Sequence, residues 1–283
     1  MKLFKLYGSR ISGSLRDIMK LPFISLISVA GLALSSCKSS TQEEEANAGR
    51  ALVMESIAAH GGAKQWYDNG QLQFQWTYYQ TDRGPDVVTD SIQTVDNKTL
   101  AVAHTVPGST TTFGWNGGQA WVKDADGKFK APPEFWALLP YYFVGIPFVF
   151  NDENASFEKL ADQLAFEGKD YDQVKITFSA DSGESPDDYY VLLIDPESKI
   201  TRGAYYTVTH PAVVGPDGPG PAKFISLDGL EEFDGILLGT SNRTFYLKDG
   251  EIGEQMRHAE VKGIKFLPEG TVDLSVPADA EKL

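Results

Sequence analysis

The chain has 283 residues, 42% of them hydrophobic and 12% aromatic, with a formal net charge of −14 from 39 acidic and 25 basic side chains. That is enough apolar material for a sizeable core, and it argues against global disorder. A surface so acidic repels phosphates, so no nucleic acid partner is expected, and the single cysteine excludes an internal disulfide and cysteine-rich zinc or iron–sulfur sites.

The N-terminus reads as an address. Lys2, Lys5, Arg10, Arg16 and Lys20 stand against one acid, Asp17, and residues 21–34 carry no charge. As a helix that apolar stretch would reach roughly 21 Å, short of the roughly 30 Å hydrocarbon core, which fits a secretory signal better than a permanent span. Leu34-Ser35-Ser36-Cys37 follows at once. An aliphatic residue, two small residues and a cysteine resemble a bacterial lipobox, in which the cysteine is acylated and becomes the mature N-terminus. Residues 1–36 are therefore expected to be the signal peptide and Cys37 the lipidation site, tying the protein to a membrane without a spanning helix. Their removal takes the net charge from −14 to −18, so the attachment should rest on acyl chains rather than on anionic head groups. Residues 37–49 are small, polar and acidic, and are expected to form a solvated tether. The acidic run Glu43-Glu44-Glu45 resembles the surface-export signal of Bacteroidetes lipoproteins. Lys38, standing where an aspartate would resemble the inner-membrane retention signal of enteric bacteria, favours the outer membrane, with the domain facing the periplasm or the cell surface.

Residues 50–283 are expected to form one domain. In Arg50–His60, Val53, Met54, Ile57 and Ala58 share a helical face, and Gly61-Gly62 ends the helix. His60, in the last turn, reads as a capping or exposed histidine. Leu72, Phe74, Trp76 and Tyr78 alternate with polar residues as a strand does. Weaker strands are expected at 87–95 and 99–106. Thr111–Trp115 and Gln119–Val122 flank Asn116-Gly117-Gly118, a hairpin signal. Residues 131–150 are dense in aromatics with Glu134 as their one charge, and their prolines forbid a long helix or a central strand. So apolar a segment must cover the sheet, either as a core plug or as a lid over a hydrophobic cavity. Residues 152–165 read as a short helix through Phe157, Leu160, Ala161 and Leu164. Further strands are expected at 174–178, 189–194, 204–209, 222–227, 235–238, 242–247 and 256–266, with a turn at Asp195-Pro196-Glu197-Ser198 and a Pro/Gly loop at 211–221. Many strands joined by short links predict a mainly β protein, a large antiparallel sheet curled into a barrel or half barrel.

Several stretches together resemble Bacteroidetes lipoproteins related to the LolA/LolB-type outer-membrane lipoprotein-sorting proteins. They are Ala59-His60-Gly61-Gly62 with Trp66, the Phe113–Trp121 hairpin, Gly145-Ile146-Pro147-Phe148, Pro186-Asp187-Asp188-Tyr189 through Ile194-Asp195-Pro196-Glu197, and Phe233-Asp234-Gly235-Ile236-Leu237. The resemblance spans roughly residues 51–270. It implies an incomplete antiparallel barrel with an N-terminal helix, closed by short covering helices over an apolar space that accepts acyl chains. An anchored chain suits a receptor or holder better than a shuttle.

No nucleophile elbow, zinc-protease motif or phosphate loop occurs, and the cysteine is assigned to lipid, so neither an enzyme nor a cofactor is expected. Asp124-Ala125-Asp126-Gly127 begins like a calcium loop but has Phe135 in place of its terminal glutamate, and reads as a hairpin turn. Two functions remain. One is a holder of a lipid or acyl ligand, walled by Phe74, Trp76, Trp115, Trp121, Trp136, Tyr141, Phe143 and Phe148, with Tyr142 beside them. The other is a structural or interaction lipoprotein of the envelope in which the same aromatics make a dry core.

Overall fold

The computed structural model describes residues 33–80, 87–178, 188–210, 214, 218 and 220–283, with side chains from residue 42. Residues 1–39 and 40–283 form two units. Of the first, residues 33–39 are described, as helical backbone; the rest of the expected signal peptide and the Cys37 side chain lie outside the described residues. Most of the 211–221 loop and the Pro186-Asp187 pair lie outside them as well. Among the described residues no helix is long and apolar enough to cross a membrane.

The first helix begins earlier than its apolar face predicts. Helix α1 (Ala33–Ala59) includes the acidic run, whose side chains are exposed, and buries Leu52, Val53 and Ile57 further on. Gly62 N–H then donates to Ile57 O and Gly61 N–H to Ala58 O, the paired bonds of a Schellman ending. Helix α2 (Ala63–Asp68) follows and buries Trp66.

The meander β1 (Gln71–Tyr79), β2 (Val87–Asp96), β3 (Ala101–Thr105), β4 (Thr112–Asn116) and β5 (Ala120–Lys123) comes next. Its last turn is the expected hairpin, with Asn116 Oδ1 accepting from Gly118 N at 3.0 Å and Gln119 N at 2.8 Å. The covering segment holds α3 (Pro133–Trp136), α4 (Leu139–Val144) and a 3-10 turn at Phe148–Phe150. The second half of the sheet is β6 (Ala155–Lys159), β7 (Leu164–Phe166), β8 (Lys169–Phe178), β9 (Tyr189–Ile194), β10 (Thr201–Tyr206), β11 (Lys223–Ser226), β12 (Asp228–Phe233), β13 (Ile236–Lys248), β14 (Glu251–Leu267) and β15 (Glu281–Lys282). Runs 235–238 and 242–247, expected as two strands, are the single strand β13.

One 15-stranded sheet results, ordered β15-β5-β4-β3-β2-β1-β14-β13-β11-β10-β9-β8-β6, with β12 paired to β13 and β7 to β8. Pairing is antiparallel, and the sheet ends at β15 and β6 without closing on itself. It is the incomplete barrel expected from the sequence. The long strand β14 joins the two halves, setting Gln71 opposite Leu267. Register shifts in the β1–β14, β13–β14 and β10–β9 pairs bend the strands, as bulges do.

The expected helix at 152–165 is absent. β6 and β7 occupy that stretch because the true period is two: Ala155 and Phe157 are buried, Ser156 and Glu158 exposed. Ala161, needed for a helical stripe, is exposed, and β8 supplies the backbone partners. Gly49 lets α1 lie against the edge strand β6, since a Cβ there would stand 2.9 Å from Lys159 N.

The two faces of the sheet carry separate cores. α1, α2 and the covering segment pack on the inner face. A smaller cluster of Phe166, Tyr171, Leu193, Phe224 and Phe245 lies on the outer face, beneath the β7–β8 hairpin. Arg202 and Arg243 stack over Phe166 and pair with Glu167 and Asp228; Arg243 holds Asp228 in a fork, Nε to Oδ2 at 2.8 Å and Nη2 to Oδ1 at 2.9 Å. Burial alone would raise the Asp228 pKa, but its bonds to Arg243, Ser226 and Arg202 bring it down to about 2. Every residue of both cores lies between Leu52 and Phe266, within residues 40–283. That unit therefore carries its own hydrophobic interior and has what a domain needs to fold alone.

Candidate functional site

The inner face is built from alternate strand positions. β1 turns Leu72, Phe74, Trp76 and Tyr78 inward, and β14 adds Ala259, Val261 and Ile264. From β8, β9 and β10 come Val174, Ile176, Leu192, Ile194, Ala204 and Tyr206. The covering segment lies on this face through Trp136, Ala137, Tyr141, Phe143, Val144, Ile146, Phe148 and Phe150. Short helices present so many large side chains because Pro133 and Pro140 start α3 and α4 in their first turns, and Pro147 precedes the 3-10 turn.

Seven of the eight expected wall residues come together here. Phe74 and Trp76 stand on β1, Trp136 on α3, Tyr141 and Phe143 on α4 and Phe148 in the 3-10 turn, all buried in one cluster, with Trp115 of β4 packed half-buried at its side. Trp121 does not join them. Along β5, Ala120 and Val122 alternate with it, so Trp121 turns to the opposite face and lies over Gly114, where a Cβ would meet its ring at 2.8 Å. The register of the 116–119 hairpin decides this, and a one-residue slip would reverse it.

Ring packing links sheet and cover throughout. Trp66 stacks on Phe148 at 4.6 Å and 4° and meets Tyr141 at 6.1 Å. Trp76 reaches Phe143 at 6.1 Å, Tyr78 reaches Trp136 at 5.5 Å, and Tyr206 reaches Phe143 at 5.1 Å. Burial pushes the Tyr141, Tyr190 and Tyr206 hydroxyls above the ordinary tyrosine range, so these groups stay neutral at any physiological pH.

Polar bonds between cover and sheet are sparse. The backbone bonds of residues 136–151 run among themselves, from Trp136 N to Pro132 O through Asn151 N to Phe148 O. His104 of β3 reaches across: its Nε2 donates to Ala137 O at 2.8 Å, and its Nδ1 accepts from Ser91 Oγ at 3.1 Å. His60 ties the end of α1 in the same manner. Its Nδ1 donates to Leu237 O at 2.9 Å and its Nε2 accepts from Thr201 N at 3.1 Å, while Ser56 Oγ meets Thr201 Oγ1 at 2.7 Å. His60 is thus fully buried and neutral, and its ring bonds go to β13 and β10, not to its own helix, so it is neither the capping nor the exposed histidine expected from its place in the helix. Burial lowers both histidines, His104 to about 4.

Sequence reasoning missed Trp66, Tyr206 and the two histidines as parts of this site. Tyr78 was legible in the same alternating run as Trp76. His104 was legible in principle as a polar residue at an inward position of a short strand.

Two other features lie apart from the aromatic layer. A groove of about 310 Å³ between α1 and the sheet edge is lined by Gln42, Glu45, Ser156, Phe157, Glu158, Lys175 and Thr177, mostly polar. The Asp124–Gly127 stretch is not the hairpin turn expected, since β5 is followed by α3 and pairs with β4 and β15. It is a bend clipped by Asp126, which accepts from Lys128 N at 3.0 Å and from Ser109 Oγ at 2.7 Å, and these bonds hold its carboxyl well below the usual range. Among the described residues no three histidine, cysteine or acidic side chains are grouped to hold a metal.

No family model matches the chain, and no curated protein matches it. Solved structures do. A LolA superfamily protein from Nitrosomonas europaea is 10% identical with a TM-score of 0.47, over 77% of this chain and 93% of that one. A DUF1329 family protein from Desulfovibrio piger is 11% identical with a TM-score of 0.47, over 81% and 95%. An outer membrane lipoprotein-sorting protein domain from Vibrio parahaemolyticus is 10% identical with a TM-score of 0.42, over 81% and 95%.

Proposed function

We propose that this protein is a non-enzymatic lipoprotein of the cell envelope, held to the outer membrane by acyl chains on Cys37, that binds a hydrophobic ligand with an acyl chain between the inner face of its sheet and the covering segment. One observation carries this reading. Residues 133–150 keep their backbone hydrogen bonds to themselves and rest on the sheet through apolar side chains and the His104–Ala137 bond. Such a cover can exchange its aromatic contacts for contacts with a lipid chain, because both are apolar and little polar bonding is broken. Phe74, Trp76, Trp115, Trp136, Tyr141, Phe143 and Phe148 are the wall of that site; Trp121, on the other face, is not part of it.

The test is lipid extraction from purified residues 40–283 followed by mass spectrometry. Bound lipid is expected, and Trp136→Asp, at the edge of the cover against Tyr78, should abolish it while far-UV circular dichroism stays unchanged. Finding no lipid on the wild type would favour the second reading, a structural envelope lipoprotein. The close stacking of Trp66, Phe148 and Tyr141 into a filled interior is what supports that alternative.

The anchor is tested separately. Cells fed labelled palmitate should label the full chain, and Cys37→Ala should remove the label. An unlabelled wild type would end the anchor assignment.

A further inference from the structure

Strand β2 interrupts the apolar inner face. Its inward positions Thr89, Ser91, Gln93 and Val95 stand opposite Tyr78, Trp76, Phe74 and Leu72 of β1. On its other side, β3 sets His104 opposite Gln93 and Val102 opposite Val95. Three consecutive inward residues of β2 are therefore polar where the neighbouring strand is aromatic.

Ser91 and His104 satisfy one another. The rest are not satisfied. Gln93 is 0% exposed, Trp76 1% and Thr89 4%, yet the amide nitrogen and oxygen of Gln93, Trp76 Nε1 and Thr89 Oγ1 have no hydrogen-bond partner among the described residues. Because both ends of the Gln93 amide are unpartnered, turning the amide over changes nothing. Opposed side chains on one face of an antiparallel pair lie about 5 Å apart and diagonal ones about 7 Å. Trp76 is diagonal to both Gln93 and Thr89, so the three side chains form one patch. Buried polar groups are ordinarily paired, and an apolar side chain of the same volume would remove the penalty of leaving them unpaired. A face made only to be filled would continue as Leu72 and Val95 do.

The chemistry of the patch defines what it would take. An indole N–H only donates, and the threonine hydroxyl and the glutamine nitrogen donate as well. Thr89 and Gln93 stand on either side of Ser91 along β2, each diagonal to Trp76, so the donors lie in a row. A row of donors suits the oxygens of a carbonyl-bearing linkage, and Gln93 Oε1 offers an acceptor to a hydroxyl or amide hydrogen beside it. His104, next to Gln93, is neutral, and the patch itself holds no cation. Arg257 stands beside it, over the Tyr78 ring at 5.7 Å, so palmitate is the comparison that tests a carboxylate against an uncharged linkage.

We propose that Trp76, Thr89 and Gln93 form a hydrogen-bonding subsite for an uncharged, carbonyl-bearing linkage, an ester or an amide, on the acyl chain held against the inner face. This rests on the ligand-holding reading above and names the ligand class within it.

The experiment compares monopalmitoylglycerol with the hexadecyl ether of glycerol, which has the same chain and head but no carbonyl, and with palmitate. Affinities for residues 40–283 are measured by displacement of a fluorescent fatty probe. Wild type should bind the ester about tenfold more tightly than the ether, the worth of one to two hydrogen bonds. Gln93→Leu and, separately, Thr89→Val should bring the two lipids near parity by weakening the ester and leaving the ether unchanged. Gln93→Leu should also melt no lower than wild type without lipid, since it removes an unpaired buried amide. Equal binding of ester and ether by wild type, or a preference that survives in both variants, would overturn the subsite while leaving a hydrophobic ligand in place. Palmitate binding as tightly as the ester would overturn the uncharged linkage. Failure of the probe and of every lipid to bind would overturn the ligand-holding reading itself, and the subsite with it.

Discussion

Replacing His104 by glutamine should flatten the acid side of this protein's stability curve. In the folded chain His104 is fully buried and its pKa falls to about 4 from an ordinary 6.5. The unfolded chain therefore takes up a proton at a pH where the folded chain does not. Stability is complete above pH 6.5, declines as the pH falls towards 4, and loses nothing more to this group below that. The loss over that window is on the order of 3 kcal/mol. In His104→Gln the side-chain nitrogen can still donate to Ala137 O, and no proton is taken up. Urea unfolding at stepped pH should show a shallower decline between 6.5 and 4 in the variant. His60, lowered in the same direction, leaves a residual slope. Asp228, with a folded pKa of about 2 against an ordinary 3.8, behaves oppositely in timing: its contribution is intact above about 4 and is lost only as the pH falls through 2. The two windows barely overlap, so a variant curve identical to wild type between 6.5 and 4 would show that His104 does not set that limb.

Trp66→Ala should be the most damaging single truncation. The indole stacks on Phe148, meets Tyr141 and turns an edge to Phe266, so α2, the cover and β14 converge on it. Large-to-small changes of this kind cost about 3–5 kcal/mol, because the cavity collapses only in part. Loss of the stack should also loosen the cover, seen as faster hydrogen exchange at the amides of residues 139–150. Trp121→Ala is the control. It removes a buried tryptophan from the other face, so it should lower stability without changing exchange in the cover. Equal acceleration of the cover by both variants would mean that the faces are not independent.

These two effects lie at different depths of legibility. Trp66 entered only with the family resemblance, beside the helix-ending Ala59-His60-Gly61-Gly62, and its place in the site was not legible; the cover was visible as a proline-punctuated aromatic stretch, with Glu134 its one charge, that could not lie on water. The alternation of Leu72, Phe74, Trp76 and Tyr78 assigned a face to β1, and the Asn116-Gly117 and Asp195-Pro196 turns located two hairpins. All of this is local: side-chain period, φ preference and burial each act over a few residues. The errors were local as well. At 152–165 a helical spacing of apolar residues coincided with a strand period, and pairing with β8 decided between them. His60 reads as a capping or exposed histidine because its helix says nothing about the strands β10 and β13 that bury it.

From residues alone came the expectation of an address at the N-terminus, and with it the mainly β class, the meander and the need for a cover over an apolar face. The partners came from the fold. That β14 closes on β1 across almost two hundred residues, that Trp121 faces away from the other tryptophans, that His60 and His104 each fasten an element to a strand, and that Gln93 and Trp76 share a buried patch are all consequences of register and long-range pairing. A sequence records which side chains prefer to be buried, whereas only the sheet determines which of them meet, because hydrogen-bond register couples residues that no local period connects.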